Sequence, residues 1–166
     1  MIGNDIIDLA LACEESDWQR EGFLDKLFTA EEQEFILNYS LPESMVWILW
    51  SMKESAYKIF NNATGKRAYI PLQLVCSLLE NKDNCFYGKV TCAGMNFFTM
   101  TYISNDCIET IAVDKHEYFD KISVVDNSTI ITKINDLPGF YDENKKRYRS
   151  VSVSHHGRYK KIVTLN

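Results

Sequence analysis

The chain has 166 residues, 46% of them hydrophobic, and a formal net charge of −5. This length and composition predict a single globular domain over residues 1–166 and exclude a disordered chain. No apolar run approaches the roughly 18 residues of a membrane span, and the N-terminus lacks the basic region of a signal peptide. The acidic balance argues against nucleic acid as the main ligand, because binding to a phosphate backbone needs clustered lysine and arginine.

The first half of the chain has a helical pattern. Asp8 can cap a helix, and Thr29 with Glu32 forms a capping-box pattern. Pro42 suits the first turn of a longer helix, which Gly65 can terminate. The predicted elements of this half are a strand at residues 1–5, a helix from near Leu9, a helix from about Ala30 to Tyr39 and a helix from Pro42 to about Asn61.

From Tyr69 onward the chain is rich in β-branched and aromatic residues, separated by turn formers. This pattern predicts an antiparallel meander covered by the helices, which is an α+β fold. The polar stretch from Leu137 to Arg149 is interpreted as a loop. The predicted strands are Phe86–Cys92, Asn96–Ile103, Cys107–Val113, Thr129–Ile134, Val151–His155 and Lys160–Leu165.

The chain contains five cysteines, an odd number, and no Cys-x-x-Cys pair. Neither a disulfide framework nor a zinc site is therefore indicated. We interpret these residues as reduced, buried thiols of a cytoplasmic protein. Their positions are 13, 76, 85, 92 and 107.

The most informative stretch is the nonapeptide at residues 50–58, Trp-Ser-Met-Lys-Glu-Ser-Ala-Tyr-Lys. At about 100° per residue, Lys53, Glu54 and Lys58 share one sector of a helix. Charges at the edge of a buried helix suit a metal and a phosphate. They suit equally well an ion pair between Glu54 and Lys58, which is the commoner situation. The neighbouring apolar face suits a core and comprises Met45, Leu49, Met52, Ala56, Ile59 and Phe60.

A second carboxylate, Asp5, lies at the end of the predicted N-terminal strand. Taken alone, Asp5 and Asp8 are more often residues that cap a turn and a helix. Together, Asp5 and Glu54 suit Mg²⁺, which takes one or two carboxylates plus substrate phosphates. Lys58 lies one turn beyond Glu54 and would neutralise charge on the same phosphates.

The segment 152–159, Ser-Val-Ser-His-His-Gly-Arg-Tyr, is the third feature. On a strand, Ser152 and Ser154 face one way, whereas Val153 and His155 face the other. No histidine or cysteine spacing fits zinc, and the Gly-x-Ser-x-Gly of a hydrolase nucleophile is absent from the sequence. A structural turn and an anion contact both remain open.

Two basic clusters lie near the C-terminus. They form either a solvated edge or a patch for a phosphate ligand or an acidic partner. Their members are Lys145, Lys146, Arg147 and Arg149 in the first, and Arg158, Lys160 and Lys161 in the second.

Three features stand in one order: Gly3-x-Asp5, Trp50-x-x-Lys53-Glu54-x-x-x-Lys58 and Val153-Ser154-His155. This order resembles the 4′-phosphopantetheinyl transferase superfamily, and most closely its small one-copy form, holo-acyl-carrier-protein synthase. The stretch from Phe23 to Glu32 is similar to a further segment of that family. The resemblance covers residues 1–67 and 148–165, whereas residues 68–147 cannot be aligned one by one.

The resemblance implies an α+β transferase that moves the phosphopantetheine arm of coenzyme A to a serine of an acyl or peptidyl carrier protein. Adenosine 3′,5′-bisphosphate would be released. By the motifs, Asp5 and Glu54 would ligate Mg²⁺, and Lys58 would stabilise charge on the phosphates. Glu54, or a water on the metal, would help deprotonate the serine. Ser154 and His155 would hold the 3′-phosphate of coenzyme A.

The small members of the family assemble as trimers, so the resemblance also implies a homotrimer in which this Ser-His strand completes the site of a neighbour. Ile7 stands where two-half members often have a third acidic ligand, so water would fill that position. The predicted first helix departs from the family, because it is acidic and would repel an acidic carrier. Either the carrier docks through Arg20 and Lys26 or through the C-terminal basic clusters, or the carrier is an unusual one. The acidic residues are Glu14, Glu15, Asp17 and Glu21.

Two other functions are compatible with the sequence. One is a non-catalytic module that binds coenzyme A or a carrier protein and keeps the same fold. The other is a structural or interaction protein in which the nonapeptide is only an ion-paired helix.

Overall fold

The computed structural model describes residues 1–134 and 137–166. The helices are α1 Leu9–Glu15, α2 Phe23–Leu27, α3 Ala30–Asn38 and α4 Pro42–Thr64, with 3₁₀ turns at Pro71–Gln73 and His116–Lys121. The first strands are β1 Ile2–Asp8, β2 Val75–Lys82, β3 Cys85–Cys92, β4 Met95–Ile103 and β5 Cys107–Val113. The remaining strands are β6 Ile122–Val125, β7 Thr132–Ile134, β8 Leu137–Asp142, β9 Arg147–Ser150, β10 Ser152–His156 and β11 Tyr159–Leu165.

The strands form three antiparallel sheets. The largest has the order β1-β5-β4-β3-β2, in which β3 to β5 are strands of the predicted meander, β2 is added beside β3 and β1 is added beside β5. The second sheet has the order β10-β11-β6, and the third has the order β7-β8-β9. Helix α4 covers the large sheet through contacts with β1 and β5. The α+β class predicted from the sequence is confirmed.

Helix α4 has the ends that the sequence predicts. Pro42 occupies its first turn, where a missing N–H costs no hydrogen bond, and Gly65 ends it with a φ of 67°. Every residue of the predicted apolar face, from Met45 to Phe60, is buried. None of the described helices is both long and apolar enough to cross a membrane.

Gly3 allows β1 to lie directly on α4. A methyl group at this position would come within 2.0 Å of the Ser55 carbonyl oxygen. Since backbone cannot yield as a flexible side chain does, any larger residue would push the strand away from the helix. The glycine of the Gly-x-Asp motif therefore sets the distance between β1 and α4.

Several element predictions need correction. The strand predicted over residues 1–5 continues to Asp8. The carboxylate of Asp8 accepts hydrogen bonds from Arg158, which lies in the turn between β10 and β11. The stretch from Leu137 to Arg149, predicted as a loop, forms the hairpin β8–β9. Strands β2 and β6 were not predicted, because their largely exposed residues lack a clear alternation of buried and exposed positions.

The five thiols are all free, as predicted, but their burial differs. Cys85 and Cys92 are buried in the large sheet, whereas Cys13 is exposed on α1. The prediction that all five are buried is therefore wrong for Cys13, and Cys76 and Cys107 are only partly buried.

Lys53, one of the three charges that the sequence places at the edge of a buried helix, is fully buried. Its Nζ donates to Glu32 Oε2 at 2.7 Å and to the Pro71 carbonyl oxygen at 2.9 Å. Glu32 also closes the predicted capping box with Thr29 and accepts a 2.7 Å hydrogen bond from the Cys76 backbone N–H. This ion pair joins α3, α4 and the start of β2, so Lys53 has a structural role.

We expect Lys53→Met to lower the free energy of unfolding by about 3–5 kcal/mol, because the change leaves the Glu32 carboxylate buried without its partner. Urea unfolding followed by circular dichroism would measure the change. The exposed Lys66→Met serves as a control and should shift the value by less than about 0.5 kcal/mol. A loss for Lys53→Met no larger than that of the control would contradict the structural role.

Candidate active site

Three elements bring the predicted site residues together. Asp5 lies on β1, whereas Glu54 and Lys58 lie one turn apart on α4. Lys58 Nζ is 4.0 Å from Asp5 Oδ1, and it donates to the backbone carbonyl oxygens of Asn4 and Val153. The ammonium group therefore lies where α4, β1 and β10 meet. The ion pair of Lys58 within the described residues is with Asp5 rather than with Glu54.

The site buries more negative than positive charge. Burial raises the pKa of Asp5, although Lys58 and the hydroxyls of Ser51 and Ser154 partly lower it. Burial and then the nearby charge of Asp5 raise the pKa of Glu54, against the opposing effect of Lys58. Burial also lowers the pKa of the Lys58 ammonium. A cation placed between the two carboxylates would lower both of their raised pKa values.

Ser154 contacts Asp5 directly. Its hydroxyl donates to Asp5 Oδ1 at 3.2 Å and accepts a 2.9 Å hydrogen bond from the Ile6 backbone N–H. The residue is only 5% exposed. Its hydroxyl is thus used within the protein, which favours a role in holding Asp5 over a direct contact to a phosphate.

His155 points away from Ser154, as the strand alternation predicts. It is exposed and lines a cavity of about 180 Å³ together with Asp5 and the indole rings of Trp47 and Trp50. An imidazole at the rim of a cavity beside Asp5 can contact an anion there. The sequence prediction of an anion contact therefore suits His155 better than Ser154.

Trp47 and Trp50 also line a second, neighbouring cavity of about 290 Å³. The second cavity is lined by the exposed cations Arg20 and Lys26 and by the ring of Tyr69. A larger cavity of about 360 Å³ lies elsewhere, beside Met1 and Arg147, and neither site carboxylate lines it. Cavity size alone therefore does not identify the candidate active site, whereas the pair of carboxylates, Asp5 and Glu54, does.

Residues 1–103 match the family model of the 4′-phosphopantetheinyl transferase superfamily. The chain belongs to that superfamily. The matched range contains Asp5, Glu54 and Lys58, whereas Ser154 and His155 lie beyond it. No curated protein matches the chain.

The donor set of this superfamily member suits a hard divalent cation. Asp5 and Glu54 supply carboxylate oxygens, and Mg²⁺ needs no more than one or two such groups beside water and substrate phosphates. The Ser51 hydroxyl is buried near Asp5 and has no hydrogen bond of good geometry within the described residues. Residues 1–134 and 137–166 hold no cluster of three or more histidine, cysteine or acidic residues that could bind a metal by themselves. A bound ion would therefore need ligands from water and substrate.

Sequence reasoning missed the partners of the Ser-His strand. Ser152 Oγ accepts a 2.9 Å hydrogen bond from the Asn4 backbone N–H, and His156 Nδ1 accepts one of 2.9 Å from the Asp8 N–H. With Ser154, these residues form a Ser-x-Ser-x-His pattern of period two. That pattern was the available signal, because alternate residues of a strand share a face.

Asp8, the last residue of β1, links this strand to the turn between β10 and β11. Its carboxylate accepts hydrogen bonds from the Arg158 backbone N–H, Nε and Nη2, at 3.0, 2.8 and 2.8 Å. These bonds hold the pKa of Asp8 well below its usual value of 3.8. Asp8 is therefore a positioning residue of the strand that carries His155.

Asp8→Asn should destabilise the protein near neutral pH and lose that effect in acid. Since the folded state depresses the pKa of Asp8, its contribution to stability is present above the ordinary value of 3.8 and is lost as the pH falls below it. Urea unfolding across this range would measure the difference between the variant and the unmodified protein. Asp120→Asn, at an exposed position, is the control. A difference that does not depend on pH would contradict the assignment.

Proposed function

We propose that this chain transfers the 4′-phosphopantetheine group of coenzyme A to a serine of an acyl or peptidyl carrier protein, with Mg²⁺ as cofactor. The main support is the meeting of Asp5, Glu54 and Lys58 in one partly buried site of a superfamily member. A chain that used the nonapeptide only for stability would have no reason to bury two carboxylates where the charge of Asp5 raises the pKa of Glu54. The Lys53–Glu32 pair already supplies the structural contact.

In this reaction, the serine oxygen of the carrier forms a bond to the phosphorus that bears the pantetheine arm. The bond from that phosphorus to the bridging pyrophosphate oxygen breaks, and adenosine 3′,5′-bisphosphate leaves. The proton of the serine would go to the Glu54 carboxylate or to a water held beside it. Lys58 lies beside Asp5 and stabilises charge on the phosphates.

Asp5 and Glu54 would hold the Mg²⁺, which when bound neutralises phosphate charge and orients the pyrophosphate. Ser154 orients the Asp5 carboxylate through its hydroxyl. His155 would contact the 3′-phosphate of coenzyme A from the rim of the cavity that Asp5 lines. The nucleophile belongs to the carrier, so this chain needs none of its own.

We propose that the carrier docks beside Arg20 and Lys26. These exposed cations line the cavity next to Trp50 and have no ion-pair partner among the described residues. Members of the C-terminal clusters are instead engaged within the protein, because Arg149 pairs with an aspartate of β8 and Arg158 with Asp8. Charge complementarity with an acidic carrier would act mainly on the rate of encounter.

The transferase activity has a direct test. Incubation with carrier proteins from the same genome, coenzyme A and Mg²⁺ should add the mass of the phosphopantetheine arm to the carrier, as read by mass spectrometry. Asp5→Asn and Glu54→Gln should each lower the rate at least about a hundredfold, because each removes a metal ligand. Glu43→Gln, at an exposed position of the same helix, should leave the rate unchanged.

Rates of the Asp5 and Glu54 variants equal to that of the control would refute the metal assignment. Tight, Mg²⁺-dependent binding of coenzyme A without transfer to any carrier would favour the non-catalytic binding module. Calorimetry that detects no such binding would favour a structural protein.

The docking proposal predicts a selective kinetic effect. Arg20→Glu combined with Lys26→Glu should raise KM for the carrier on the order of tenfold and leave KM for coenzyme A unchanged. Steady-state kinetics with each substrate varied in turn would measure this. Lys145→Glu combined with Lys146→Glu is the matched control, since it reverses two exposed charges of the other candidate surface. The opposite result, an effect of the second pair alone, would place the carrier at the C-terminal cluster.

A further inference from the structure

We infer that each chain completes its own active site, because hairpin β10–β11 (Ser152–His156 and Tyr159–Leu165) lies against β1 of the same chain. The homotrimer implied by the family resemblance would then not be needed to bring Ser154 and His155 to Asp5. The inference relies on the proposed function for what the site does. How the site is assembled follows from contacts that can be tested without any activity.

The first support is a seam of side-chain hydrogen bonds. One edge of β1 pairs with the backbone of β5, and the N–H groups of Asn4, Ile6 and Asp8 point to the other edge. All three donate to side chains of β10, at distances of 2.9 Å. The acceptors are Ser152 Oγ, Ser154 Oγ and His156 Nδ1. Without β10, buried backbone donors on β1 would be left without hydrogen-bond partners, which is unfavourable.

The second support is a set of ionic and polar contacts around the seam. Lys161 Nζ lies 2.6 Å from Glu109 Oε1, which joins β11 to β5. Asn4 Nδ2 donates to the Lys161 carbonyl oxygen at 3.2 Å. Asp8 holds Arg158 through three hydrogen bonds. These contacts lie along the whole length of the hairpin, so its position does not depend on one bond.

The third support is the short connection between β5 and β6. Strand β6, which pairs with β11, begins at Ile122, nine residues after β5 ends at Val113. Much of the intervening segment is the 3₁₀ turn His116–Lys121, whose aromatic residues pack on a cluster that contains Ile2 and Val163. The connection is therefore itself part of the core between β1 and β11. The connection thus holds β6, the strand that pairs with β11, close to β1 of the same chain.

The Lys161–Glu109 ion pair permits a test that needs no substrate. A carbodiimide should convert this close ammonium–carboxylate pair into an amide, and peptide mapping should find the linked peptides in the band of single-chain mass on a denaturing gel. Lys161→Arg keeps the charge but cannot form this amide, so it is the control. Detection of the linked peptides only in bands of two or more chains, or in no band at all, would overturn the inference.

A mixing experiment tests the consequence for catalysis. Asp5→Asn and His155→Ala each impair one side of the site, and neither can contribute an intact site if all residues come from one chain. An equimolar mixture, unfolded and refolded together, should therefore be as inactive as the two variants alone, while the unmodified protein treated identically regains its activity. Recovery of transfer in the mixture would show that the hairpin acts between chains. Failure of the proposed function would be seen separately, as an inactive unmodified protein that still forms the intrachain cross-link.

Discussion

The close approach of β1 to α4 at Gly3 is the constraint on which the site depends. The Gly3 backbone lies against the Ser55 carbonyl oxygen, at a distance that leaves no room for a side chain. Asp5 follows two residues later and so faces the same side of the strand. Glu54 directly precedes Ser55 on the helix. One contact between backbones thus places two carboxylates from distant parts of the chain next to each other.

Neighbouring residues of α4 show two ways of burying a charge. Lys53 is enclosed by Glu32, the Pro71 carbonyl oxygen and the ring of Phe28, so its charge is fully compensated within the protein. Glu54, the next residue, is partly buried beside Asp5, and the two carboxylates share one nearby lysine. The first arrangement stabilises the fold, whereas the second leaves negative charge that the proposed Mg²⁺ would compensate. This contrast supports a structural role for Lys53 and the proposed role of Glu54 in the site.

The sequence predicted those parts of the structure that local patterns encode. The capping box at Thr29, the boundaries of α4 near Pro42 and Gly65, and the alternating strands β3 to β5 all leave such patterns. The burial of Lys53 could not be predicted, because its partner Glu32 is 21 residues away and also has a local explanation as a cap. Hairpin β8–β9 was missed for a related reason: its mostly polar, exposed residues resemble a loop.

The site was partly predictable for the same physical reasons. Asp5, Glu54 and Lys58 could be proposed as site residues because the last two lie one turn apart on a helix, Mg²⁺ prefers oxygen ligands and the order of the motifs resembles a known family. The orientation of Ser154 toward Asp5 and of His155 toward the cavity required the position of β10 relative to β1. That position depends on contacts separated by about 150 residues, such as Asp8 with Arg158.

The seam between β1 and β10 has a consequence for how this protein can change during evolution. In an ordinary sheet, backbone atoms join the strands, so most substitutions leave the joint intact. Here the acceptors are two hydroxyls and an imidazole, and replacement of any one by an aliphatic residue removes an acceptor. Side chains, and not the backbone, therefore hold β10 against β1. Single substitutions can weaken this attachment or shift its register while both strands stay folded.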